Sequence, residues 1–335
     1  MTTTVRLLKL RCVVFLAVAL AFAIPISAIA PEQVPQKIRV LCLNRPLPVV
    51  LAQSNGILAK YGIEVEFMTL PSSDVLRSDL ESGKGDVAFL ALDNDVALVD
   101  SAGADAVIVM GGESSLNEII AQPGIRSIAD LRGRTLIVDA PNTAYALQLK
   151  KVLLMNGLQA GRDFAIKPVG ATTLRLQGMR EHPEYAAAVL NPPFSILARH
   201  DGMISLGSMR TLLGFDMDRG TFVMRAWARE HADLLTRYLA AYVEAQRDLL
   251  APANKQQVIS LVMKEPNLSA PLATEWYAGV IQNDGYAPDA RFDMEAFKKA
   301  LILRAEVEPG GARKTPAAEK YYDLSYYQAA LSRIK

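Results

Sequence analysis

The chain has 335 residues, 51% of them hydrophobic and 21% charged, enough for a sizeable core and better suited to two lobes than to one. Its 36 basic residues nearly cancel its 35 acidic ones. No basic stripe forms, which excludes the electrostatic footprint of a nucleic-acid binder.

The first 30 residues differ from the rest. Arg6, Lys9 and Arg11 precede an apolar run from Val13 to Ile24, then Pro25 and the small-residue site Ala28-Ile29-Ala30. This is the pattern of a secretory signal peptide, cut after Ala28 or Ala30. Pro31 directly follows the later site and disfavours it. The run falls short of the roughly 20 residues a transmembrane helix needs; the alternative is an uncleaved N-terminal anchor. Loss of this leader leaves 33 basic against 35 acidic residues, a net charge of −2, and no later stretch is long and apolar enough to span a membrane. A soluble protein outside the cytoplasm is expected. Cys12 follows Lys9-Leu10-Arg11 and not a small apolar lipobox, so a lipid anchor is not expected. Cys42 is then alone in an apolar run and reads as a buried strand residue; no neighbour would activate its thiol.

In chain order, Ile38–Leu43 reads as a strand and Pro48–Lys60 as a helix with proline in its first turn and Gly62 beyond its end. Ile63–Phe67 alternates like a strand, Asp74–Ser82 reads as a helix, Val87–Leu92 as a strand, Asn94–Ala102 as a short helix and Ala106–Met110 as a strand. The rhythm restarts after the polar turn Asp130–Arg134: strand Thr135–Asp139, helix Thr143–Met155, strand Phe164–Val169, helix Thr173–Arg180, strand Ala186–Leu190. Such spacing predicts βαβ units and mostly parallel sheets. After Thr221–Arg225 the chain reads as helical: Trp227–Leu250, 255–264, 270–282, 293–305 and Asp323–Ile334. Segments 111–129 and 212–220 are the expected crossings between two α/β lobes.

Four segments carry a resemblance. Asn55-Gly56-Ile57-Leu58-Ala59-Lys60-Tyr61-Gly62-Ile63-Glu64-Val65-Glu66, Glu81-Ser82-Gly83-Lys84-Gly85-Asp86-Val87-Ala88, Ile128-Ala129-Asp130-Leu131-Arg132-Gly133-Arg134-Thr135-Leu136 and Ala187-Ala188-Val189-Leu190-Asn191-Pro192-Pro193-Phe194 stand in this order. They resemble segments of the periplasmic binding proteins of ABC transporters, in the branch that handles sulfonates, taurine, nitrate and thiamine-pyrimidine precursors. The resemblance covers residues 55–194. It implies the two-lobed type 2 periplasmic binding protein fold, α/β, each lobe a mostly parallel sheet flanked by helices, with the ligand clamped in the cleft between lobes. It implies lobe I from residues 31–116 and 221–335, lobe II from 117–220, a membrane permease with a cytoplasmic ATPase as partners, a periplasmic location and a monomer. Two positions depart from the pattern. Gly178 is followed by Met179-Arg180-Glu181-His182-Pro183-Glu184-Tyr185 where the family has a shorter turn ending in aspartate, and Asn191 replaces the usual glutamate before proline.

In open α/β sheets ligands sit beyond the carboxyl ends of the strands. That rule selects Asn44, Arg45, Asp93, Asn94, Ser114, Ser115, Asn142, Thr143, Thr172, Thr173 and Asn191, with Tyr145 and Phe194 as rings for a flat ligand. Asn142 or Thr143 can cap the helix that follows, and the same free N–H groups can attract an anionic head group; Thr172-Thr173 repeats the arrangement. Arg45 reads either as a solvated surface residue or as a clamp on carboxylate or sulfonate. Asp93 and Asp95, one residue apart at a strand tip, read as a helix cap and first-turn acid, with a contact to a cationic group as the alternative for Asp93.

Catalysis and metal binding lack support. Ser114-Ser115 is not a nucleophile elbow, Gly83-Lys84-Gly85 is not a phosphate loop, and His182, His200 and His231 are scattered, without metal-ligand spacing. No cofactor is expected, and the cysteine-rich motif of the family's pyrimidine-forming enzyme is absent. The sequence therefore points to a solute-binding protein for a small anionic or zwitterionic organic ligand, sulfonate-, taurine- or pyrimidine-like. An extracytoplasmic enzyme on the same scaffold and a ligand-presenting receptor for a membrane sensor are the alternatives.

Overall fold

The computed structural model describes residue 2 and residues 34–264, 267–307 and 315–334. Residue 2 apart, the signal-peptide reading lies outside the described residues, as does Cys12. Ten strands form: β1 (Gln36–Cys42), β2 (Ile63–Thr69), β3 (Val87–Ala91), β4 (Ala106–Ser114), β5 (Glu118–Ala121), β6 (Thr135–Val138), β7 (Ala165–Pro168), β8 (Tyr185–Leu190), β9 (Ile204–Ser208) and β10 (Asp218–Met224). They make two five-stranded sheets, ordered β2-β1-β3-β10-β4 and β7-β6-β8-β5-β9. Each sheet is parallel except for one strand received from the far side of a crossing. β10 runs antiparallel to β3 and β4, and β5 antiparallel to β8 and β9. Two lobes with the same strand order result, and lobe I draws on both ends of the chain.

Helices cover both faces of each sheet, so the central strands are apolar throughout. Alternate side chains feed separate cores. In lobe I, Val40, Val87, Phe89 and Val109 face the helix Ala232–Leu250, while Leu41, Ala88, Leu90 and Ile108 pack toward the other face. In lobe II, Leu136, Val138 and Val189 oppose Ile137, Ala188 and Leu190 in the same way.

Several boundaries differ from the sequence expectation. The helix expected over Pro48–Lys60 is two, Leu47–Ser54 and Ile57–Lys60; Gly56, at φ 73°, turns the chain through a left-handed conformation that suits glycine. The long helix Trp227–Leu250 is broken at His231 (φ −116°, ψ 32°) into Arg225–Glu230 and Ala232–Leu250, where the His231 ring stacks on Trp227 at 5.0 Å. The first crossing is only residues 115–117, because 111–114 complete β4 and 118–121 form the short β5. The return, residues 214–217, is also short: β10 begins at Asp218, so the lobe boundary expected at residue 220 falls inside a lobe I strand. Gly220 hid that strand from the apolar pattern. It is there because a Cβ would lie 2.3 Å from the Met110 carbonyl oxygen. Strand β9 and the helix Phe194–His200 were not expected either, and the last helix shortens to Ser325–Leu331.

Candidate functional site

The carboxyl ends of β1 and β4 in lobe I and of β8 in lobe II meet around one cavity of about 620 Å³. Asn44, Arg45, Ser114 and Ser115 reach it from lobe I or its crossing, and Thr173, Asn191 and Phe194 from lobe II. A second void of about 30 Å³ adjoins it and shares Leu43, Asn44, Asn191 and Arg219. Asn94, Thr143, Tyr145 and Thr172 line this smaller space. The fold rule therefore brings eleven of the thirteen selected residues to the cleft.

Asp93 and Asn142 line neither space and serve the seam between lobes instead. Arg304, from the lobe I helix Met294–Val307, donates through one Nη to Asp93 Oδ2 at 2.6 Å and to the Asn142 carbonyl of lobe II at 2.9 Å. Beside it, Ser73 of lobe I donates through its N–H and hydroxyl to the Asp139 carboxylate of lobe II, and the Ala171 N–H to the Pro71 carbonyl at 2.8 Å. The expected caps also differ. The helix starts at Asp93 itself, with no side-chain cap. Asp95 is fully buried with no hydrogen-bond partner for its carboxylate among the described residues, and burial pushes its pKa well above the ordinary carboxylate value. Thr143 does not cap; its hydroxyl donates to the Ala140 carbonyl at 2.9 Å. The Thr172 hydroxyl donates to Asn191 Oδ1 at 2.9 Å and accepts from Arg175, tying the lobe II loops together. Tyr145 donates to Ser115 Oγ at 3.1 Å across the mouth of the crossing. Arg45 is exposed at the rim, its guanidinium over Phe67 at 5.3 Å.

The largest addition to the sequence reading is Arg219. The β10–β4 register sets it directly opposite Glu113, and the two form an ion pair with side chains 12% and 9% exposed. Its guanidinium lies 5.0 Å above Phe89. Burial, the largest influence, opposes the charge, but Glu113 together with Tyr145, Tyr286 and Tyr242 outweighs it and holds the pKa above the ordinary arginine value. Glu113 is the one hydrogen-bond partner of Arg219 among the described residues, while the guanidinium borders both the cavity and the small void. Arg175, also buried, instead turns its Nη groups to acceptors of lobe II: it donates to the Gly170 carbonyl, the Thr172 hydroxyl and the Val189 carbonyl. A partial signal for the Glu113–Arg219 pair did exist, since Glu113 is the single charge of an otherwise uncharged strand and Arg219 follows Asp218 at the start of another. Trp276, Tyr286, Val262 and Val280, which complete the cavity, carried none, because they sit in the C-terminal helical half. Among the described residues no group of three or more His, Cys, Asp or Glu is placed to hold a metal.

No family profile matches the chain. A relative from Escherichia coli (strain K12), named as an aliphatic sulfonates-binding protein, is 24% identical over 279 residues, 80% of this chain and 83% of that protein. Among solved structures, the alkanesulfonate-binding protein SsuA from Xanthomonas axonopodis pv. citri bound to MOPS superposes with a TM-score of 0.68 at 16% identity, covering 86% of this chain and 98% of that one. The periplasmic nitrate-binding protein NrtA from Synechocystis PCC 6803 does so with a TM-score of 0.73 at 13% identity, covering 90% and 89%. The resemblance read from four segments thus stands, and in these two structures the shared fold covers 86% and 90% of the chain.

Proposed function

We propose that this chain is the extracytoplasmic solute-binding protein of an ABC importer, taking up a small organic anion or zwitterion between its lobes without chemical conversion. The observation that carries the reading is Arg219. It is buried, committed to one carboxylate, and faces a cavity bordered by both lobes, so its remaining N–H groups await an acceptor from outside the chain. A guest's anionic group there would make charge-assisted hydrogen bonds at low effective dielectric. Asn44 and Asn191 of opposite lobes flank the same space and would grip the head group as the lobes close. Glu113 would accept from a donor group on a zwitterion. The named sulfonate-binding relative supports an acidic oxygen head group. Delivery to a permease and its ATPase, a periplasmic location and a monomeric state complete the proposal.

The test is calorimetric titration of the full chain with sulfonates and carboxylates, beside the variant Arg219→Gln. Saturable one-to-one binding is expected, with affinity falling about 100-fold in the variant, the approximate size of a lost buried charge contact. Absence of binding by every anion tried, or an unchanged affinity in Arg219→Gln, overturns the reading.

A further inference from the structure

The head group accounts for only one end of the cavity. About 620 Å³ corresponds to roughly twenty waters at about 30 Å³ each. A guest with one or two carbons behind its anionic group would fill a small part of that and leave the rest wet. Much of the remaining lining is apolar, and it begins beside the ion pair, where Tyr286 bridges to Glu113. Trp276 and Val280 of the helix Ala270–Val280, Val262 of the neighbouring helix, Tyr286, Leu47, and Phe194 from lobe II present apolar surface to the cavity. Trp276, Val280, Tyr286, Leu47 and Val262 belong to one apolar cluster, so the wall is the edge of a packed core and does not collapse inward to fill the space. Three of these six side chains, Trp276, Tyr286 and Phe194, are aromatic and come from both lobes, and such rings attract a flat apolar guest by face or edge. The charges on the lining are Arg45, Arg219 and Lys264 against Glu113, a positive balance.

We infer that the ligand is an aryl anion: one sulfonate or carboxylate at Arg219 and a ring-sized apolar body against Trp276 and Phe194. This rests on the solute-binding reading above and names its ligand class. The apolar body gains affinity by leaving water, in proportion to the area the wall covers. The chain's two tryptophans make the wall observable. Trp227 is stacked on His231 outside the cavity, so a ligand-induced change in indole fluorescence reports Trp276.

The experiment compares ethanesulfonate, 2-naphthalenesulfonate and 2-naphthoate on the full chain, by calorimetry and tryptophan fluorescence. The aryl anions are expected to bind about thirty-fold tighter than ethanesulfonate, about 2 kcal/mol at 1.4 kcal/mol per tenfold, and to change the Trp276 emission. Trp276→Ala should remove most of that advantage. Trp276→Leu, which keeps the wall apolar and the core filled, should retain part of it. Equal or tighter binding of ethanesulfonate overturns the aryl inference and leaves the anion-binding reading intact. Failure of all three anions to bind overturns that reading itself.

Discussion

Arg304 with Asp93 and Arg219 with Glu113 are both buried arginine–carboxylate pairs, yet their surroundings differ. Arg304 also donates to the backbone carbonyls of Asp93 and Asn142, so its charge is engaged within the chain and pins a lobe I helix to lobe II. Arg219 has one carboxylate and a cavity. The lesson lies in where the acceptors stand. Arg304 meets carboxylate and carbonyl oxygens of its own chain on both sides of the seam and fastens the structure, while Arg219 meets one carboxylate and otherwise borders a cavity.

That contrast can be broken by experiment. The largest effect should come at the seam: Asp93→Ala leaves Arg304 buried without its carboxylate, and stability to urea should fall by about 3–5 kcal/mol. Replacing both partners, Asp93→Leu with Arg304→Met, should recover most of the loss; an undisturbed single variant would show that the pair does not fasten the lobes. Next in size is the neighbouring latch. Asp139→Ala strips the acceptor from the Ser73 N–H and hydroxyl and should lower stability by about 1–3 kcal/mol. In the cleft the sign reverses. Glu113→Gln removes the charge that competes for Arg219, so anion affinity should rise by about threefold to tenfold, by roughly 1 kcal/mol of relieved competition, while stability falls. A weaker anion affinity in that variant would mean that Glu113 positions Arg219 more than it competes for it.

A smaller effect belongs to the return crossing. Asp216 accepts there from the Ser114 hydroxyl and the Asn117 and Met217 N–H groups. Burial, then the carboxylates of Asp293 and Asp216, push the Asp218 pKa up to about 8. The folded chain therefore keeps a proton that the unfolded chain releases near pH 4. The stability this group contributes is full below that pH, is lost as pH rises toward 8, and changes no further above it. Melting temperatures from pH 5 to 9 should show the decline, and Asp218→Asn should flatten it. The smallest signal concerns Cys42, fully buried in β1 with a thiol raised by burial to about 11. A thiol reagent should label it only after denaturation; labelling of the native chain would show that β1 opens.

Much of this was legible in the residues. The alternating strand Ile63–Thr69 declared itself because β-structure repeats every two residues, Val87–Ala91 as a short apolar run buried on both faces, and the loops after β1, β4 and β8 could be selected because strand direction fixes where a parallel sheet opens. The short strands β5 and β9 were not legible, since four or five residues carry too little period to be told from a loop, and β10 was hidden by Gly220 among its first three residues. Asp93 was misread for another reason. Its position at a strand tip was right, but residue 304, which claims it, lies 211 positions away.

The sequence by itself determined the order of elements, the two-lobed α/β plan and most of the loops that meet at the cleft, because each depends on local period, turn chemistry and chain direction. Only the tertiary structure decided which arginine is fastened and which is offered, and which helix closes the cavity with Trp276. Those outcomes depend on contacts such as Arg219 with Glu113, 106 residues apart, and no local pattern records what a side chain will meet once the lobes have folded together.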